Sequence, residues 1–174
     1  MKLFAIRFFA ALLATAAIWD GTALGQDSWR RVTARDGTFT VEMPGEPAYI
    51  TRDVKTDNGV FVAHRYIAQV GGTDYVVQFT IAPPNVDLSD TRKVLQSALD
   101  GVAKQLRGGT WENVRWTTYQ GLTACDAIGV KNDGTAMRVF SVIKRRTQFN
   151  LLYARKGAAV AADADRFIGS FLAQ

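Results

Sequence analysis

Val60-Phe61-Val62-Ala63-His64-Arg65-Tyr66-Ile67-Ala68-Gln69-Val70-Gly71-Gly72-Thr73-Asp74-Tyr75-Val76-Val77-Gln78-Phe79-Thr80-Ile81 is the stretch that decides the fold. Two apolar runs, Val60 to Ala68 and Tyr75 to Ile81, flank a diglycine. In the second run Tyr75, Val77, Phe79 and Ile81 share one face by strict alternation; in the first, His64 shares a parity with Val62 and Tyr66. Two such strands so closely joined read as an antiparallel hairpin. Parallel strands would need a crossover of a dozen or more residues.

Working outward, the same grammar repeats. Phe39, Val41 and Met43 alternate after the Asp36-Gly37 turn, behind a first strand at Trp29-Arg30-Arg31-Val32, and Pro44-Gly45-Glu46-Pro47 stops the second. Tyr49 to Lys55 reads as a further strand, turned by Asp57-Asn58-Gly59. On the other side Pro83-Pro84 marks a change of regime. Ser89 is placed to cap a helix from about Asp90 to Leu106, with Leu95, Leu99, Val102 and Leu106 as its apolar stripe and Gly108-Gly109 as its end. Strands return at Thr110 to Tyr119, Leu122 to Lys131, Ala136 to Ile143 and Phe149 to Ala154. A last helix is expected over Ala159 to Leu172, with Phe167, Ile168, Phe171 and Leu172 inward. The sum is α+β: an antiparallel β-sheet carrying a mid-chain helix and a C-terminal helix.

The first 25 residues read as an export signal. Met1-Lys2 and Arg7 are basic, Phe8 to Trp19 is apolar apart from Thr15, and Ala23-Leu24-Gly25 ends in small residues. Twelve helical residues span roughly 18 Å, short of the ~30 Å hydrocarbon core. The expectation is a cleaved signal over 1–25, one domain over 26–174, no stable transmembrane anchor, and a soluble product that is periplasmic or secreted. The formal net charge of +5 falls by one unit with the signal, because Lys2, Arg7 and Asp20 leave together. That mild excess argues against a nucleic-acid partner. Cys125 is the single cysteine, so no internal disulfide forms, and its strand context reads as a buried small hydrophobe.

Chemistry is sparse. His64 is the only histidine and stands in no nucleophile motif; with one cysteine some sixty residues away it offers no metal-ligand spacing. Asp163 and Asp165 lie two apart on the last helix and face different directions. Asp126 interrupts an apolar strand, which places it outward or beside a basic neighbour. No catalytic residue, metal ligand or cofactor is assigned. Two features remain as candidate binding residues. Lys144, Arg145 and Arg146 gather three cations on a hairpin, either an anion-binding patch or a solvated turn that protects strand edges. Trp111 and Trp116 have opposite parity on one strand, which leaves one ring for ligand stacking if the other is core.

The segment Asp36-Gly37-Thr38-Phe39-Thr40-Val41-Glu42-Met43-Pro44-Gly45-Glu46-Pro47, the Tyr75-Val76-Val77 strand, the Leu95/Leu99 helix and the closing Arg166-Phe167-Ile168-Gly169-Ser170-Phe171 resemble a group of exported bacterial proteins. Their layout is similar to the PsbP-like α/β/α sandwich, named for an extrinsic photosystem II protein. The resemblance spans about Trp29 to Phe171. It implies a non-catalytic binding or assembly factor; the partner expected here is an unknown protein or, from the basic hairpin, an anionic envelope component. It transfers no site residue by residue. The alternatives are an envelope hydrolase using carboxylates that the fold gathers, and a module held electrostatically at the envelope surface.

Overall fold

The computed structural model describes residues 28–56, 59–105, 110–157 and 160–174. The export signal, the Asp57-Asn58 turn, Leu106 and the Gly108-Gly109 helix end lie outside the described residues.

Alternation becomes ladder wherever the sequence shows it. β3 (Ala48–Thr56), β4 (Gly59–Val70) and β5 (Thr73–Ile81) form one meander, and β6 (Thr110–Tyr119), β7 (Leu122–Val130), β8 (Thr135–Lys144) and β9 (Thr147–Lys156) form a second. β5 pairs with β9, so the two meanders join into one antiparallel sheet of order β3-β4-β5-β9-β8-β7-β6. α1 (Thr91–Gln105) carries the chain from the middle of that sheet to its far edge, lying against β7 and β8. Its cap is Asp90 rather than Ser89: the Lys93 backbone N–H donates to Asp90 Oδ1 at 3.0 Å.

The remaining strands leave this sheet. β1 (Trp29–Thr33), β2 (Phe39–Pro44) and the two-residue β10 (Leu172–Ala173) make a separate sheet of order β1-β2-β10. The C-terminal helix is correspondingly shorter than its periodicity suggests. α2 runs Ala162–Gly169 and stops where Gly169 and Ser170 interrupt it; Leu172 then turns outward at 46% exposure and pairs with Thr40. Ser170 joins the two parts, its Oγ accepting the Glu42 backbone N–H at 2.8 Å.

The small sheet and α2 cover one face of the large sheet, and α1 covers the other. Phe39, Val41 and Met43 meet Tyr66, Tyr75, Phe79, Phe149, Tyr153, Phe167 and Phe171 in one continuous core. Beneath α1 the burial is divided into smaller clusters around Ala98, Val102, Leu95 and Leu99.

Candidate functional site

The basic hairpin folds inward more than outward. Lys144 Nζ donates to the Ala173 carbonyl at 2.8 Å, which ties β8 to the end of β10. Arg146 donates from Nε to the Ala82 carbonyl at 2.9 Å, and from Nη2 to the carbonyls of Val86 at 2.7 Å and of Pro83. Those carbonyls belong to the proline-rich connection, which has no ladder to satisfy it. Arg145 is the exposed cation of the three, at a positive φ of 56°.

The tryptophans share a face, contrary to their parity. A bulge between Trp111 and Asn113 adds one residue, so Trp111 sits opposite Gly129 and Trp116 opposite Cys125. Both pack with Leu99, Cys125 and Ala127. A Cβ at Gly129 would lie 2.8 Å from Trp111 Cε3 and 2.6 Å from the Thr110 carbonyl, so only glycine lets the indole close down. Trp111 Nε1 is buried without a partner among the described residues, while Trp116 lies half-buried under the Arg92 guanidinium, 4.7 Å from ring centre.

Three chemically suggestive residues hold structure. His64 Nδ1 and the Tyr49 hydroxyl share a hydrogen bond of 2.7 Å, and the imidazole stacks on Phe79 at 4.6 Å. Burial pushes the Cys125 thiol up to about 11, away from thiolate chemistry. Asp126 is buried, not outward. Arg138 grips both its oxygens at 2.9 Å, Arg115 adds a contact of 3.2 Å, and Arg138 Nη1 reaches Asp165 on α2 at 2.5 Å. The bonds to Asp126 hold the Arg138 guanidinium charged well beyond the ordinary arginine range. Among the described residues no group of three or more His, Cys, Asp or Glu is placed to hold a metal ion.

A cleft of about 200 Å³ opens where the two sheets end together. Its lip is the β4–β5 turn, where Gly71 and Gly72 take φ values of 57° and 73° that only glycine adopts at low cost. Trp29 of β1, Thr73 and Tyr75 of β5, Arg155 of β9 and Asp163 of α2 line it. The aromatic wall is held by ring contacts on several sides. Tyr75 meets Trp29, Tyr153 and Phe167 edge-on at 5.5–5.6 Å, and Arg166 lies over Trp29 at 4.5 Å while donating to Glu42 at 2.8 Å.

The polar groups converge on this space. The Tyr75 hydroxyl donates to Asp163 Oδ2 at 2.6 Å, and burial, with Asp163 beside it, holds that phenol well above the usual tyrosine range. Arg155 stands opposite Thr73 in the ladder, on the face that buries Leu151 and Tyr153. It forms no ion pair among the described residues, with Asp163 or any other carboxylate. Arg138 sits two ladder positions away on the same strand pair and is fully committed to Asp126 and Asp165. Arg155, the cation of the cleft, is not among the binding candidates that the sequence offers. The available signal was its parity: a guanidinium on the inward face of a strand that otherwise buries Leu151 and Tyr153.

The architecture is PsbP-like. It is similar to the solution structure of cyanobacterial PsbP (CyanoP) from Synechocystis sp. PCC 6803, at a TM-score of 0.55 and 14% identity, over 90% of this chain and 99% of that one. A crystal structure of a protein of unknown function from Pseudomonas aeruginosa, PA94, is more distant, with a TM-score of 0.42 and 10% identity over 74% and 83% of the two chains. No protein-family model matches the sequence. No curated protein matches it either.

Proposed function

We propose that the chain is an exported, non-catalytic binding or accessory protein of the bacterial periplasm, and that it binds at the cleft between its two sheets. The observation that carries this reading is the pair of opposite charges, Arg155 and Asp163, facing one small space without neutralising each other. A half-buried guanidinium held on a strand gains little by staying unpaired, whereas a charge-assisted hydrogen bond to a ligand is among the stronger polar contacts. His64, Cys125 and Asp126 support the non-catalytic half, because each is already engaged in packing or in a structural bond. The leader at Met1 to Gly25 supports export, and among the described residues no helix is long and apolar enough to cross a membrane.

The experiment has two halves. Expressed with its own leader, the protein is expected in the periplasmic fraction with an intact mass beginning at Gln26; full-length product held in the inner membrane would overturn the localisation. A thermal-shift screen of small polar metabolites is expected to give hits that Arg155→Gln loses while Arg145→Gln keeps, with each hit recovered chemically unchanged. Hits indifferent to Arg155 would remove the cleft from the account. Turnover of a hit would remove the non-catalytic reading.

A further inference from the structure

We infer that the ligand of this cleft is a small zwitterion of the α-amino-acid type, its carboxylate on Arg155 and its ammonium on Asp163; this rests on the cleft being the binding site. Three features point to that class. The first is charge. A ligand that is only anionic would satisfy Arg155 and bring its charge toward Asp163, and a ligand that is only cationic would do the reverse. A zwitterion satisfies both, and in a partly desolvated site an unmatched charge carries a penalty as large as the contact it replaces.

The second is hydrogen-bond capacity. Asp163 Oδ2 already accepts from the Tyr75 hydroxyl, which fixes the carboxylate's orientation and leaves Oδ1 as an acceptor for an ammonium N–H. Arg155 presents a fork of donors suited to a carboxylate, with the Thr73 side chain beside it on the neighbouring strand. Arg155 is thus placed by the β5–β9 ladder and Asp163 by the first turn of α2 and the Tyr75 hydroxyl, not by a loop.

The third is size and polarity. A cavity of about 200 Å³ has room for roughly six or seven waters at the liquid volume of ~30 Å³ each. That suits an amino acid and falls below the usual range for larger cofactors, roughly 300–1,000 Å³. Trp29, Pro44 and Val70 supply an apolar side for an aliphatic group.

The test uses the full mature chain and three probes that share the leucine side chain and differ in charge: L-leucine, N-acetyl-L-leucine and L-leucinamide, titrated by calorimetry. L-leucine is expected to bind at least about tenfold more tightly than either singly charged probe. Asp163→Asn should weaken L-leucine by about tenfold and leave N-acetyl-L-leucine unchanged; Arg155→Gln should weaken L-leucine and N-acetyl-L-leucine and leave L-leucinamide unchanged. Because Asn still accepts the Tyr75 hydroxyl and both positions are only half-buried, the variants should fold, which circular dichroism verifies. Equal binding of L-leucine and N-acetyl-L-leucine, both lost in Arg155→Gln, overturns the zwitterion and keeps the cleft as an anion site. Absence of binding by all three probes also overturns the zwitterion; Arg155-dependent hits in the metabolite screen then keep the cleft, and their absence removes it too.

Discussion

The two faces of the seven-stranded sheet are built from different material. Toward the small sheet the side chains are rings: Phe39 alone lies against Tyr66, Phe79, Phe149 and Phe171 at centroid distances of 5.2–6.3 Å. Toward α1 a polar row crosses the sheet through Arg65, Gln78, Asn150 and Ser141 in register, ending at Cys125 and Trp116. Arg65 donates to Gln78 at 2.9 Å and Ser141 to Asn150 at 2.7 Å, but Arg65 Nη2 and Gln148 Oε1 are buried with no partner among the described residues. Desolvation, with Arg52 nearby, lowers the Arg65 guanidinium to about 10. The aromatic face therefore supplies most of the fold's cohesion, and its outer end is where Trp29 and Tyr75 wall the cleft. The α1 face carries an electrostatic cost.

Paired substitutions can break this comparison. Phe39→Ala, at 0% exposure, should destabilise by about 3–5 kcal/mol, and Leu99→Ala under α1 by about 2–3 kcal/mol, both read from urea midpoints. Equal losses, or a larger loss at Leu99, would contradict the ranking of the faces. Two inward-facing arginines, the half-buried Arg138 and the buried Arg65, separate more sharply. Arg138→Met strands Asp126 in the interior and should cost about 3 kcal/mol, near the low end for a broken buried pair because Arg115 remains. Arg65→Met strands no opposite charge and should lie within about 1 kcal/mol of the parent, on either side of zero. A large loss at Arg65 would show that its row is a satisfied network. At the small end, the Cys125 thiol should resist a disulfide reagent at pH 8 in the native state and react fully in urea. Its raised pKa also means that any stability it contributes is complete below pH 9, the unfolded thiol value, and declines as pH rises toward about 11.

Much of this architecture was legible. Strand alternation in Phe39 to Met43 survives because β2 has one face pressed on rings and the other half-exposed, and a period of two is the direct image of that burial. The partition into two sheets was not legible, since β2 alternates identically whichever sheet it joins. The opposite parity of Trp111 and Trp116 misled for a local reason: one bulged residue reverses every side chain after it. The last helix misled because Phe171 and Leu172 continue its apolar pattern after Ser170 has ended it. The cleft was least visible of all. Trp29, Tyr75, Arg155 and Asp163 come from four elements, and only the β5–β9 pairing and the docking of α2 bring them to one end. The Lys144-Arg145-Arg146 cluster was conspicuous because it is contiguous, yet Lys144 and Arg146 serve backbone carbonyls.

Whether binding belongs to the aromatic end of the sandwich is tested most directly by chemical-shift mapping. In a ¹⁵N–¹H titration with L-leucine, the account predicts shifts at the Trp29 indole N–H and at the amides of Gly71, Thr73 and Arg155, with Arg145 and the Trp116 indole unmoved. Shifts confined to Arg145 and Trp116 would contradict it.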